Sequence, residues 1–268
     1  MNHLHRTLAP VTDDAWKAIE DEAREVLSTS LAGRHIVDVD GPLGWQTSSV
    51  DPGRTVEARH PIVSGVTTMM RQVHPLIEIR VPFELSRTEL DAISRGARDP
   101  DLDPLVEAAR AAARAEDTLV FFGMKELGQE GLMTAATETV SLDKGVMYAD
   151  LPDKVMEAMG VLKVRGVEGP YALVLGLDSY EGAARATHSG GYPVLQHLRT
   201  LIDGPVLWAP MLEGSVLVSQ RGGDYRLTLG EDFSIGYLNH SADSVNLYLE
   251  ETLTFQVDGE TAAVPLIS

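Results

Sequence analysis

Apolar residues recur at helical spacing near the start of the chain. Between Thr12 and Gly33 they stand three or four positions apart, and charged residues fill the other face. Thr12 is the expected N-cap, Asp13 and Asp14 suit the positive end of the helix dipole, and Gly33 is the expected stop. Because the apolar stripe is narrow, we predict a helix that lies on a surface.

Two more helices are predicted before the middle of the chain. The S-x-x-E sequence at 86–89 is a capping box, which predicts a short helix that Gly96 ends. Asp103 at the cap and Pro104 in the first turn predict a longer helix that runs to Phe122. Its apolar face is rich in alanine, so we expect another element to pack closely against it.

The residues from about 130 to 220 alternate between helical and strand patterns. We predict a helix over 152–163, a buried strand at Tyr171–Leu175, two short helices over 179–186 and 193–202, and a second strand over 206–212. This order indicates a compact α/β subdomain.

The C-terminal part has the pattern of β-structure. Strands at 216–219 and Tyr225–Leu229 flank Gly222-Gly223, which predicts a hairpin. From 245 to 257 apolar residues alternate with mostly polar ones, which predicts one strand more than twice the usual length of about 5–6 residues. Such a strand favours an elongated sheet over a compact barrel.

Residues 46–73 show neither the helical spacing of apolar residues nor the alternation of a strand for long, and they are rich in Thr, Ser and Val. A segment of this length without a core pattern is uncommon in a compact domain. It predicts a functional extension, an arm that grips a partner, or a disordered loop.

Composition excludes several classes of function. The 22 basic and 40 acidic residues give a net charge of −18, which disfavours a nucleic-acid binder because phosphate contacts need clustered Lys and Arg. The absence of cysteine excludes disulfides, thiolate metal sites and cysteine nucleophiles. No signal peptide and no apolar stretch long enough to span a membrane is visible, so we expect a cytoplasmic protein with no membrane partner.

Catalytic motifs are missing. The sequence has no Walker A loop, no H-E-x-x-H zinc motif, no G-x-S-x-G elbow and no G-x-G-x-x-G turn, so we expect no catalytic residue and no metal ligand. Acidic pairs such as Glu250-Glu251 and Asp13-Asp14 are interpreted as solvated faces. Trp45 is expected to anchor a core or an interface, and His188 lies in a glycine loop that is either a plain connection or the lip of a pore or ligand site.

Several segments, in order along the whole chain, resemble the encapsulins, the bacterial nanocompartment shell proteins of family 1, the linocin or bacteriocin type. They are LAPVTDDAW (8–16), LAGR (31–34), VDV (37–39), GPLGW (41–45), LDAISRGA (90–97), GPY (169–171), RGGDY (221–225), SIGY (234–237) and ETLTF (251–255). Each segment is weak alone, but their order and spacing are specific.

The resemblance implies an α+β fold, the Hong Kong 97-type major capsid fold of tailed phages, with a peripheral domain, an axial domain and an extended loop. Residues 1–45 are then the N-terminal helix and start of the peripheral domain, and 46–75 the extended loop that overlaps a neighbouring subunit. Residues 76–130 form the peripheral domain with its spine helix, 131–220 the axial domain, and 221–268 the C-terminal strands of the peripheral domain. The implied partner is the chain itself, in an icosahedral shell of roughly 60 copies or more.

The resemblance also implies a pocket for the C-terminal targeting peptide of a cargo protein. The matching positions are Leu27, Leu31, Asp38, Val39, Ile235 and Tyr237. The alternative is that these residues only pack the N-terminal helix onto its own domain. Family cargoes are dye-decolorising peroxidases or ferritin-like proteins, which implies oxidative defence or iron storage.

Two more features follow from the resemblance. The loop Thr187, His188, Ser189, Gly190, Gly191 and Tyr192 matches the five-fold pore loop, where His188 makes passage sensitive to pH. Some encapsulins stack a flavin on a tryptophan where this chain has Thr88, so we expect no cofactor. The alternatives are a phage-derived major capsid protein, which a charge of −18 disfavours, and a bacteriocin-like or protease-like enzyme, for which no nucleophile–base pair is found.

Overall fold

A computed structural model describes residues 3–60, 62–142, 148–188 and 191–267. The α-helices in these ranges are α1 Asp13–Ser30, α2 Arg87–Ser94, α3 Asp103–Phe122, α4 Leu132–Ala135, α5 Leu151–Val164, α6 Leu177–Arg185 and α7 Val194–Ile202. None of them is long and apolar enough to cross a membrane.

The strands in these ranges are β1 Asp38–Asp40, β2 Ser49–Val50, β3 Thr55–Glu57, β4 Met69–Arg71, β5 His74–Pro75, β6 Ile77–Ser86, β7 Gly123–Met124, β8 Gln129–Glu130, β9 Val140–Ser141, β10 Tyr171–Leu175, β11 Thr187–His188, β12 Tyr192–Pro193, β13 Val206–Trp208, β14 Ser215–Ser219, β15 Tyr225–Leu229, β16 Ser234–His240, β17 Ser244–Val257 and β18 Ala263–Ile267. With the helices they make a mixed α and β fold.

The first sheet is organised by β17, which has 14 residues and confirms the predicted long strand. One edge of β17 pairs antiparallel with β6, and its other edge pairs antiparallel with β16 and then β15. Strand β1 adds to β15 in parallel. Helix α3 packs against β6, and α1 packs against α3, so the two long helices lie over this sheet.

The second sheet has the strand order β13-β10-β14-β18-β9. Strand β10 is buried along its whole length, as predicted, and β13 lies parallel to it. Strand β14 pairs antiparallel with β10, and β18 pairs antiparallel with β14. Helices α5, α6 and α7 belong to this α/β part of the chain.

Two apolar clusters share α3. The half of α3 that contains Leu105 and Ala109 packs with α1 and with one end of β17. The half that contains Leu119 and Phe121 packs with the second sheet and the other end of β17. Between the two halves stand Glu116, Asp117 and, on β17, Glu251, so a buried polar seam separates the clusters.

Several local predictions are corrected by the structure. Ser86 accepts a hydrogen bond from the N–H of Thr88 at 3.2 Å, but the carboxylate of Glu89 accepts from the N–H of Asp101, so the capping box is not reciprocal. Leu102, not Asp103, is the N-cap of α3. The strand predicted over 206–212 is shorter and ends at Trp208.

The hairpin predicted at Gly222-Gly223 is wrong. Strand β14 pairs within the second sheet and β15 within the first, so the two glycines turn the chain from one sheet to the other. The last strand also changes sheets, because β18 pairs with β14 and not with β17. The α/β part of the fold therefore includes residues beyond 220.

The segment 46–75 forms two short ribbons, β2 with β5 and β3 with β4. Several of its large apolar side chains are exposed. They are Val56, Ile62, Val63, Val66, Met69, Met70 and Val73. This supports the prediction of an extension outside the core of its own chain.

Candidate functional site

A cavity of about 550 Å³ opens between the residues before α1, α1 itself and β16. Three of the six residues predicted to bind a cargo peptide line it, namely Leu27, Leu31 and Ile235. All three are almost fully buried and form its apolar floor with Ala23 and Leu249. We call this cavity the helix pocket.

The position of α1 follows from its sequence. Thr12 caps the helix, as predicted, by accepting a hydrogen bond from the N–H of Ala15 at 3.3 Å. Ile19 and Ala23 are buried in the apolar cluster that α1 shares with α3 and the first sheet, while Asp13 and Asp14 are exposed. The buried stripe turns Leu27 and Leu31 towards the helix pocket.

The rim of the helix pocket carries both signs of charge. Arg6 forms an ion pair with Glu20 at 2.6 Å and lies 4.1 Å over the ring of Trp16. Arg24 and Asp232 also line the pocket. A ligand that fits this pocket therefore combines apolar groups for the floor with polar or charged groups for the rim.

Arg34 forms the back of the helix pocket and ties three elements together. Its guanidinium donates to both carboxylate oxygens of Glu116 on α3, at 2.9 and 2.7 Å. It also donates to Glu251 on β17 at 2.6 Å and to Asp232 before β16 at 2.9 Å. The carboxylates of Glu116 and Glu251 are inaccessible to solvent, so Arg34 is their main charge partner among the described residues.

Asp117 holds the turn that carries Arg34. Its carboxylate accepts from the backbone N–H groups of Ala32 and Gly33, at 3.1 and 2.8 Å. Burial raises the pKa of Asp117 to about 7, although the same N–H groups oppose the rise. Burial, with the neighbouring Glu116, also raises the pKa of Glu251 well above its usual value.

The interpretation of Glu250-Glu251 as a solvated face is wrong. Both side chains are fully buried. The polar seam was not predicted, although Glu251 interrupts the row of apolar residues at alternate positions of β17. An acidic residue at a position that strand periodicity assigns to the core indicates a buried ion pair.

The other three predicted peptide-binding residues do not line the helix pocket. Asp38 lies on β1, accepts from the N–H of Gly223 at 2.6 Å and lines a separate cavity of about 100 Å³. Val39 follows it and is exposed. Tyr237 lies further along β16 and bonds His240 Nδ1 at 2.5 Å through its hydroxyl.

The predicted pore loop is a small hairpin at its described ends. Thr187 pairs with Pro193 and His188 with Tyr192, and Gly191 has a φ of 81°. Tyr192 is exposed. Ser189, Gly190 and the side chain of His188 lie outside the described residues, so the role of this loop stays a prediction.

Comparison with known proteins identifies the family. The family described as "Encapsulating protein for peroxidase" matches residues 1–254. A type 1 encapsulin shell protein from Rhodospirillum rubrum is 53% identical over 271 residues, covering 99% of this chain and 96% of that protein.

Solved structures confirm the fold. A virus-like particle from Pyrococcus furiosus aligns with a TM-score of 0.64 at 14% identity, over 94% of this chain and 98% of that one. The capsid of Myoviridae phage XM1 aligns with a TM-score of 0.55 at 14% identity, over 86% and 88%. These alignments confirm the predicted Hong Kong 97-type capsid fold. Because the family match covers residues 1–254 and the Rhodospirillum rubrum protein is 53% identical over nearly the whole chain, the chain belongs to the family of type 1 encapsulin shell proteins.

Proposed function

We propose that the helix pocket holds the C-terminal targeting peptide of a cargo protein on the inner face of a cytoplasmic shell that this chain builds with copies of itself. The observation that carries the proposal is the apolar floor made by Leu27, Leu31 and Ile235 beneath a charged rim. The volume of about 550 Å³ lies within the range of pockets that bury a ligand.

The chemistry of the helix pocket defines the peptide it accepts. Side chains of an extended peptide point alternately to opposite sides, so apolar residues at alternate positions reach the floor. Polar residues between them then meet Arg6, Glu20 and Arg24 at the rim. A peptide with this alternation is held by apolar burial and oriented by the rim charges.

Two observations support a protein guest and a multi-subunit wall. The net charge of −18 per chain disfavours packed nucleic acid, and the family description names a peroxidase as the enclosed protein. The exposed apolar side chains of segment 46–75 supply a surface for a neighbouring subunit.

The test replaces floor residues by aspartate in separate variants, Leu27→Asp and Ile235→Asp. Leu238→Asp is the matched control, because Leu238 lies on the same strand, is exposed and does not line the pocket. Leu27→Ala is the milder variant, to be used where the charged variants fail to fold.

Particles are purified from the native host, checked by size-exclusion chromatography and negative-stain microscopy, and their guest content is measured by mass spectrometry. We expect the floor variants to assemble with less than about a tenth of the guest, since loss of roughly 1.4 kcal/mol in binding already costs tenfold. The Leu238 variant keeps its guest. Floor variants that assemble and retain guest at the wild-type ratio would refute the proposal.

A further inference from the structure

Three metal-ligating side chains, each next in sequence to a residue that lines the helix pocket, meet in a group that the sequence motifs did not indicate. His3 Nε2 lies 2.8 Å from Glu231 Oε2 and 3.5 Å from Glu250 Oε1. These three atoms all lie within 4.8 Å of one another. His3 precedes Leu4 of the pocket lining, and Glu231 precedes Asp232.

Hydrogen bonds of the backbone and one ring contact hold this group in place. The carbonyl of Leu4 accepts from the N–H of Tyr237 at 2.9 Å, which holds the N-terminal segment against β16. The N–H of Glu231 donates to Thr252 Oγ1 at 2.7 Å, and its carbonyl accepts from the N–H of Thr252 at 3.0 Å. The imidazole of His3 is stacked on Trp45, with ring centroids 4.3 Å apart and planes 9° apart.

A buried carboxylate oxygen of the group lacks a hydrogen-bond partner among the described residues. Glu250 is fully buried, and Arg80 pairs with its Oε2 only. Its Oε1 has no hydrogen-bond partner among the described residues and points at His3 and Glu231. Arg80 is also shared with Glu78, at 3.1 Å, and a buried carboxylate oxygen without a partner is costly.

We propose that His3, Glu231 and Glu250 bind a divalent transition-metal ion of the Zn²⁺ type. One imidazole nitrogen with two carboxylate oxygens is a ligand set that Zn²⁺ accepts, with water completing a tetrahedron. Metal–ligand bonds of about 2.0–2.1 Å place tetrahedral ligands about 3.3 Å apart. The observed 3.5 Å fits, and the 2.8 Å pair needs to open by roughly 0.5 Å.

A metal ion here would pin the N-terminal segment to the first sheet. Glu250 belongs to β17, Glu231 to the bend between β15 and β16, and His3 to the segment that covers them. Because Trp45 stacks on His3 and directly precedes segment 46–75, the ion would also steady the start of that segment. None of the three ligands lines the helix pocket, and metal binding is measured without a peptide, so failure of the metal site and failure of the proposed function are separate results.

The test uses Co²⁺ as a spectroscopic substitute for Zn²⁺ on whole particles that have been stripped with a chelator. Tetrahedral Co²⁺ gives visible absorption bands, and bound Co²⁺ quenches the fluorescence of a nearby tryptophan. The variants are His3→Ala and Glu231→Gln, because both residues are partly accessible and neither is a core anchor. The matched control is His5→Asn, since His5 is exposed and asparagine tolerates its φ of 51°.

We expect one Co²⁺ per subunit, visible bands that Zn²⁺ abolishes, and quenching that Trp45→Phe removes. Loss even of a partner outside the ligand shell weakens metal binding about 10- to 100-fold, so each ligand variant should weaken it by at least about tenfold. His5→Asn leaves binding unchanged. Absent bands, or equal binding in His3→Ala and wild type, would overturn the proposal in favour of a direct polar contact of His3 with the two carboxylates and no metal ion.

Discussion

The stability of this protein should rise as the pH falls from 7.5 to 5.5, and Asp117→Asn should remove a defined part of that rise. Burial raises the pKa of Asp117 in the folded chain from 3.8 to about 7. Between these two values the folded state binds a proton that the unfolded state releases. The stabilisation is therefore complete below about pH 4 and is lost as the pH rises through about 7.

The magnitude follows from linkage. A difference of about 3 units, at 1.36 kcal/mol per unit, limits the total effect to roughly 4 kcal/mol. Between pH 7.5 and 5.5 the same two pKa values give about 2 kcal/mol in the free energy of unfolding per subunit. For a chain of this size that corresponds to roughly 4 °C in the midpoint of thermal unfolding.

The assay is thermal unfolding of wild-type and variant particles at matched concentration from pH 5 to 8. Asp117→Asn fixes this side chain in a neutral form, so its midpoint should change with pH about 4 °C less than that of wild type. Asp21→Asn is the control, because Asp21 is exposed and its ion-pair partner among the described residues is Arg24, an exposed arginine. Parallel pH profiles for wild type and Asp117→Asn would show that Asp117 is already ionised at pH 5.5 and would contradict its raised pKa.

Two more predictions concern stability and use thermal or denaturant midpoints. Arg34→Ala leaves Glu116 and Glu251 without their main cation and should cost about 3–5 kcal/mol, whereas Arg24→Ala, at an exposed pair, should cost less than about 1 kcal/mol. Equal losses would show that the buried pairs contribute nothing special. Gly123→Ala should destabilise more than Gly128→Ala, because both glycines have positive φ but a Cβ at Gly123 overlaps the backbone of the facing strand β8. A milder effect at Gly123 than at Gly128 would contradict this.

Local pattern was sufficient for most helices and for the longest strand. The spacing around Trp16 and Ile19 gave the buried stripe of α1, and alternation gave β17 to within one residue of its start. Three pocket residues came from the resemblance: Leu31 and Ile235 lie in segments shared with encapsulins, and Leu27 is a matching position on the N-terminal helix between two such segments. The other three matching positions do not line the helix pocket. Asp38 and Val39 follow its lining residues in sequence, and Tyr237 lies on β16, the strand that carries Ile235.

Long-range pairing could not be predicted. Two glycines between two strand patterns look the same whether the strands pair with each other or, as at Gly222-Gly223, with different sheets. Which strands pair is decided by β10, the partner of β14, and by β17, the partner of β15, and neither is adjacent to the two glycines in sequence. The glycines themselves are compatible with a hairpin and with a crossing between sheets. The role of His3 was hidden for the same reason, since its carboxylate partners lie more than 200 residues away.

Glu250 and Glu251 connect the two proposals. As neighbours on one strand they point to opposite faces of the first sheet, where Glu251 meets Arg34 and Glu250 meets Arg80 and His3. The first contact fixes the back wall of the helix pocket, and the second fixes the N-terminal segment that forms another wall. Because burial leaves each carboxylate few alternative partners, the walls are held in one arrangement before a peptide arrives. A peptide that binds then loses its own conformational entropy, but the protein loses little, because the pocket walls are already ordered. A preordered site of this kind allows a short segment to bind tightly.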